Sequence, residues 1–308
     1  MYIAHYYPKS FSDGPILFQS YTGYKFINNS CNKDVDLIYS ASTSVLDKAL
    51  KAKEEYNKEL VCWVWDIPNN WRDWVKNDPI GYKLNSFRDE ANHKTIENLK
   101  KCDLVISSSK YTQSVLKTFD IDSHQIYYYI DTHGLDSVPS QQKENQIIQI
   151  SRYFFNKRFE VSILATRDLP YKTVCCGFGK DYCKARLLGL PNSNMELYCD
   201  LPTEYVIRHL KRSKLLVSPS VFEGWGITPI EALYCKIPIL LSDLEVFKEV
   251  YGDNIIYHER DNIDDMTEKI DYIMKNKGVQ EKIVKKGTDC IRSFTPKLFA
   301  NRWKKAIN

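Results

Sequence analysis

The chain has no apolar run near the ~20 residues that a bilayer-spanning helix needs. It also has no block of five consecutive cations, no internal repeat and no low-complexity tract. The first absence leaves a soluble protein or one that rests on a membrane surface. The second, with a formal net charge of only +4 over 308 residues, argues against nucleic acid as a partner. Nine cysteines show no paired metal-ligand spacing, and adjacent Cys175 and Cys176 sit in an apolar run, so they read as buried thiols. An odd cysteine count with no leader segment points to a reducing cytoplasm. What is present is an ordinary globular composition, 43% hydrophobic and 27% charged, on a chain long enough for two domains.

Apolar runs alternate with helical patterns along the chain. Strands are predicted over 1–5, 36–40, 60–65, 102–107 and 125–130, with helices over 44–56, 92–101 and 111–118. A polar stretch, 134–146, reads as a linker. Strands over 147–151, 173–176, 215–217, 237–241 and 254–257 then alternate with helices over 204–212, 244–251 and 263–275, and a last helix spans 296–307. Such alternation predicts an α/β fold built on parallel sheets.

The stretch 215–241 is the most informative. A short strand stops at Pro219, and the loop Glu223-Gly-Trp-Gly226 carries two glycines. A helix is then predicted with Thr228 as N-cap, Pro229 at the first position and Glu231 three after the cap, the spacing of a capping box. A second strand closes a βαβ unit. Its loop-to-helix junction directs unpaired N–H groups at an anion, between two carboxylates, Glu223 and Glu231.

Pro219-Ser220, Glu223-Gly-Trp-Gly226 and Glu231-Ala232 resemble the signature of the family 4 retaining glycosyltransferases, the group 1 family of GT-B fold. That family has two Glu eight residues apart around a Gly-Phe-Gly-like turn. The resemblance implies two Rossmann-like domains facing each other across a cleft: a reduced acceptor domain over 1–140, a nucleotide-sugar donor domain over 141–293, and a C-terminal helix over 294–308 crossing back to the first. It further implies Glu223 beside the transferred sugar and Glu231 on the ribose hydroxyls, with Gly224, Trp225, Gly226, Ile227 and Thr228 forming the donor-binding turn. The family's Gly-Arg…Lys-Gly diphosphate motif is matched by Arg152 and Lys157, although Ser151 stands in place of the first Gly and Arg158 in place of the last. Gly177-Phe178-Gly179 corresponds to a turn lining the nucleotide pocket, and Gly14 is what remains of a glycine-rich loop near the donor diphosphate. Asp66 follows Trp65 where many relatives have His-Asp. Lys236 occupies a usual glycine position, which implies a different helix exit.

The reaction implied is transfer of a hexose from a UDP- or GDP-type sugar to a hydroxyl of a glycan or lipid-linked acceptor. It proceeds with retention and with no metal or other cofactor. Fixed cations suit it because negative charge develops on the departing phosphate. Trp71, Trp74, Tyr82 and Phe87 among Arg72, Lys76, Lys83 and Arg88 suit a sugar- or headgroup-binding rim, compatible with the inner face of a membrane, and equally an amphipathic surface helix. Other readings stay open. Asp34-Val-Asp36 and Asp120-Ile-Asp122 match the Asp-x-Asp of a metal-dependent GT-A transferase. The thin Gly14 loop and the missing His suit a GT-B binding protein without turnover, and an epimerase or phosphorylase shares the scaffold.

Overall fold

The computed structural model describes residues 1–7, 22–68, 72, 88–179, 181–189 and 193–308. Its contacts divide the chain into two compact units, Met1–Tyr129 with Phe294–Asn308, and Ile130–Ser293.

In the first unit, the described residues form six parallel strands: β1 (Tyr2–Tyr6), β2 (Lys25–Asn28), β3 (Leu37–Ser40), β4 (Leu60–Val64), β5 (Leu104–Ser107) and β6 (His124–Gln125), in the order β2-β1-β3-β4-β5-β6. β3 and β4 are buried throughout, as a parallel sheet covered on both faces requires. Alternate residues divide between the faces. Ala4, Ile38, Leu60 and Cys62 pack with Leu46, Ala49 and Leu50 of helix Leu46–Tyr56 and with Ile96 and Leu99 of helix Arg88–Leu99. Ile3, Leu37, Tyr39, Val61 and Trp63 pack instead with Phe299 and Trp303 of helix Pro296–Ile307. The C-terminal helix therefore completes the core of the first unit. The strand predicted over 125–130 is shorter than expected. After Gln125 the chain leaves the sheet, and Ile126 and Tyr129 are buried against that helix, with the Tyr129 and Phe299 rings 5.0 Å apart.

The stretch expected to be a linker is partly helical and belongs to the second unit. Helix Thr132–Ser137 is capped by the Asp131 side chain, which accepts the His133 N–H at 3.1 Å. Tyr234 Oη donates to Asp136 at 3.0 Å, and the Lys211 ammonium donates to the Val138 carbonyl. The second sheet, again among the described residues, comprises β7 (Gln146–Ile150), β8 (Lys172–Gly177), β9 (Met195–Cys199), β10 (Leu215–Ser218), β11 (Ile239–Ser242) and β12 (Ile256–His258). Its order is β12-β11-β10-β7-β8-β9, all parallel. The chain winds outward from β7 to β9, returns to lay β10 beside β7, and winds out the other way. This is the doubly wound order. Its direction reverses between β7 and β10, and ligands of such sheets bind outside the carboxyl ends at that reversal.

Candidate functional site

The carboxyl end of β10 carries the glutamate turn. Ser220 is 1% exposed, and its carbonyl accepts the Ser242 hydroxyl. Its own hydroxyl donates to Glu223 Oε1 at 2.8 Å. Gly226 has φ +83°, and a Cβ there would lie 2.6 Å from Cε1 of Phe247, so only glycine fits. Helix Ile227–Tyr234 starts directly after it, with Gly226 as the cap residue and no side-chain cap. The predicted capping box is therefore corrected. Thr228 is the second helical residue, and Pro229 is the third, still among the positions with no intrahelical N–H bond to lose. Glu231 is the fifth, too far along to reach back to the cap. The helix exit also corrects an expectation. Lys236 has φ +61°, with its N–H on Leu233 O at 3.0 Å and the Ile237 N–H on Ala232 O at 2.9 Å. That is the glycine-type C-terminal motif, here made by a lysine.

The carboxyl end of β7 supplies the cations. Lys157 closes the short 3-10 turn Phe155–Lys157, and its carbonyl accepts Gln149 Nε2 at 2.8 Å. Its ammonium meets Glu223 Oε1 at 2.6 Å, with the two side chains 10% and 14% exposed. The turns are tied by backbone as well, Val221 N–H donating to Asn156 O at 3.0 Å. Arg152 is exposed, its guanidinium 5.2 Å from the centre of the Phe154 ring. Arg158 has φ +49° and is bonded to Asp261 through Nε at 2.7 Å, so the position that holds glycine in the resembled motif keeps a left-handed backbone here too.

The turn after β8 is locked against the one after β7. A Cβ on Gly177 would fall 1.9 Å from the Ser151 carbonyl oxygen, and one on Gly179, at φ +131°, 2.7 Å from that of Tyr153. Tyr153 N–H donates to Phe178 O at 2.6 Å, and Asp200 N–H to Gly177 O at 2.9 Å.

Glu231 is partly buried. Desolvation first, and then the nearby Asp131 carboxylate, push its carboxyl up to about 7. Gly224 and Trp225 are buried, Trp225 to 3% exposure, so this indole packs inward and a ligand would meet only its backbone. Ile227 is 39% exposed.

The structure thus gathers Arg152, Lys157, Gly177, Gly179, Glu223, Gly224, Gly226, Ile227 and Thr228 around the carboxyl ends of β7, β8 and β10. Asp66 belongs to the first unit, after β4, where its charge acts on the half-buried Arg88 guanidinium. Gly14, Trp71, Trp74, Lys76, Tyr82, Lys83 and Phe87 lie outside the described residues. Arg72 is described and pairs with Asp89, Nη1 to Oδ1 at 2.9 Å. Sequence reasoning assigned no role to Ser220 or Asp131. Ser220 stands inside a quoted motif, but only the fold sets it against Glu223 and brings Asp131 near Glu231.

Among the described residues no group of three or more His, Cys, Asp or Glu is placed to hold a metal. The Asp-x-Asp pairs are otherwise engaged. Asp36 accepts the Tyr2 N–H at 2.7 Å and Asp122 bonds Lys117 at 2.8 Å. With two doubly wound sheets in place, the GT-A alternative is overturned. No helix of the described residues is long and apolar enough to cross a membrane.

Two doubly wound parallel sheets, with the Lys157–Glu223 pair at the reversal of the second, are the arrangement of the GT-B class. Residues 135–289, half of the chain, match the group 1 glycosyl transferases, and the chain belongs to that family. The O-antigen chain mannosyltransferase RfbU of Salmonella typhimurium is 27% identical over 175 residues, 54% of this chain and 49% of the relative. A poly(ribitol-phosphate) alpha-N-acetylglucosaminyltransferase of Staphylococcus aureus is 24% identical over 225 residues, 69% of this chain and 45% of the relative. The chain spans about half the length of these curated relatives. Among solved structures, Anabaena HepE in complex with UDP and glucose superposes with a TM-score of 0.78 at 13% identity, covering 100% of this chain and 99% of that one. Staphylococcus aureus TarM in complex with UDP and alpha-GlcNAc-glycerol gives 0.71 at 22% identity, covering 90% and 56%. At these identities the likeness is one of fold, and that fold is GT-B.

Proposed function

We propose that the chain is a retaining glycosyltransferase that moves a hexose from a UDP- or GDP-type sugar to a hydroxyl of a glycan or lipid-linked acceptor, without a metal. The observation that carries this reading is the Lys157–Glu223 pair at the sheet's reversal, with helix Ile227–Tyr234, whose amino end has no side-chain cap, starting four residues after Glu223. A diphosphate at that place draws on Lys157, on exposed Arg152 and on the helix amides, each of which helps most as charge develops on the departing oxygen. Once the diphosphate engages Lys157, the Glu223 carboxylate is left beside the reacting sugar, held by Ser220. Attack on the face that the phosphate leaves lets that phosphate accept the acceptor's proton, so no enzyme nucleophile is required. Glu231 takes the ribose hydroxyls. The RfbU and poly(ribitol-phosphate) relatives, named for sugar transfer to polymers, support a glycan acceptor.

The test is release of UDP or GDP from a panel of nucleotide sugars, with EDTA present, followed by NMR assignment of the product's anomeric centre. Turnover in EDTA with the donor's configuration kept is expected. Activity abolished by EDTA and restored by Mg²⁺ or Mn²⁺, or an inverted product, overturns the mechanism. Tight nucleotide binding with no turnover of any donor would make the chain a binding protein.

A further inference from the structure

We propose that Asp261, acting through the Arg158 guanidinium, is a positioning residue for the transfer: the pair clamps the turn that carries Lys157. This rests on the glycosyltransferase reading above and adds to it two residues that act through a third. Seven non-glycine residues among the described ones hold a left-handed backbone, and two of them, Arg158 at φ +49° and Asp261 at φ +58°, bond each other. Arginine gains nothing from that backbone, which crowds its Cβ against a carbonyl oxygen. A backbone outlier of this kind persists where the surrounding contacts enforce it. Here those contacts are side-chain bonds of Arg158, which a glycine in its place could not make.

The guanidinium closes two turns at once. Nε donates to Asp261 Oδ1 at 2.7 Å and Nη2 to Oδ2 at 3.4 Å, a forked bond that sets direction as well as distance. Nη1 donates to the Phe155 carbonyl at 3.2 Å, inside the 3-10 turn Phe155–Lys157 itself. The Arg158 side chain is 11% exposed, and a Glu160 oxygen lies 3.6 Å from Nη1. Asp261 is held from its own side. Asn262 N–H donates to Glu259 O at 3.3 Å, and the Asn262 side chain accepts Asp265 N–H at 3.0 Å as the cap of helix Ile263–Lys275. Asp265 in turn accepts the Glu259 N–H at 2.7 Å. That helix meets helix Phe159–Thr166, where Thr267 Oγ1 reaches Ala165 O at 2.9 Å. The Arg158–Asp261 bond thus joins the turns after β7 and β12, which the sheet order separates by two strands. Lys157 is the residue next to Arg158. Its ammonium must leave Glu223 Oε1, 2.6 Å away, for a phosphate oxygen without the turn shifting beneath it. A reacting group misplaced by ~1 Å loses up to about a hundredfold in rate.

The experiment is steady-state kinetics, with the donor that wild type turns over, on the full chain and on Arg158→Gly, Asp261→Gly and the double variant. The melting temperature of each is measured alongside. Glycine suits both backbones, so each change removes the clamp without straining its turn. Each single variant should lower kcat about tenfold and leave the donor KM within about twofold, because the cation acts mostly on charge that develops at the departing oxygen. The double variant should lose no more than either single one, since both remove the same interaction. Melting temperatures should stay within about 3 °C of wild type, because an ion pair with one partner 47% exposed adds little to stability. Wild-type kcat in either single variant overturns the clamp and leaves the glycosyltransferase reading standing. So do losses that multiply in the double variant, or turnover that falls only in step with melting temperature. No turnover of any donor by wild type overturns both readings.

Discussion

At the residue scale, Glu231 links stability to pH. Its carboxyl is pushed up to about 7, above its ordinary value, by burial and by Asp131. Between the unfolded value and about pH 7 the folded chain keeps a proton that the unfolded chain releases. Stability therefore falls as pH rises through that window, and the full cost is present above about pH 7. Glu231→Gln should melt above wild type at pH 8 and close to it at pH 4.5, by scanning calorimetry. An offset that is the same at both pH values would show that this carboxyl does not titrate there. If Glu231 also accepts ribose hydroxyls, the gain in UDP affinity between pH 6 and 8 should be larger in wild type than in the Gln variant. The two cations separate by a different measurement. Lys157 is enclosed and paired, so Lys157→Ala leaves Glu223 without its counter-charge and should cost about 3 kcal/mol of stability. Arg152 is exposed, so Arg152→Ala should leave urea unfolding unchanged and lower turnover by about two orders of magnitude. Equal destabilisation by both changes would contradict the burial difference on which this rests.

At the element scale, turns at glycine-type positions decide which substitutions are tolerated. Lys236 holds a left-handed backbone at the exit of helix Ile227–Tyr234, which costs a residue with a Cβ roughly 1 kcal/mol. Lys236→Gly should then stabilise by about 0.5 kcal/mol once the greater freedom of glycine in the unfolded chain is counted. Gly226→Ala at the other end should destabilise by more than ~2 kcal/mol, since strain and the Phe247 contact add. A destabilised Lys236→Gly would mean that its side chain contributes more than its backbone costs. These ends also show what was legible. The order of strands β1, β3, β4, β7, β10 and β11 could be read because central parallel strands are continuous apolar runs. Edge strands β2 and β9, part-exposed or half-buried throughout, lack that run and went unread. Helix Phe159–Thr166 buries six of its eight residues, so it has no polar stripe to set its period. The site was legible in its spacing, Lys157 after β7 and the Glu223 turn after β10. The helix start was misread because Thr-Pro suits a cap statistically, while the contact of Gly226 with Phe247 is made only by the fold. The Lys157–Glu223 bond was likewise out of reach, since nothing local in sequence joins two turns on different strands.

At the scale of the whole molecule, the chain's two ends build one core and its middle builds another. Phe299 and Trp303 are 2% and 0% exposed inside the first unit, with Trp303 4.6 Å from Tyr39 and 6.3 Å from Trp63, ring centre to ring centre. Residues 130–293 have their own sheet and close before that helix begins. Removing a buried Trp or Phe side chain costs about 3–5 kcal/mol. Deleting both, about 6–10 kcal/mol by that measure, takes most of the about 5–15 kcal/mol that holds a domain of this size together. A chain ending at Ser293 should therefore lose hydrogen-exchange protection in β1, β3 and β4 while β7, β8 and β10 stay protected. Under the proposed function it should still bind the nucleoside diphosphate, because the groups assigned to it lie in the second unit, and it should transfer no sugar. Trp303→Ala is the milder version, with β3 and β4 exchanging faster and β7 unchanged. Simultaneous loss of protection in both sheets would show that the second unit does not hold its fold alone and that the two cores unfold as one.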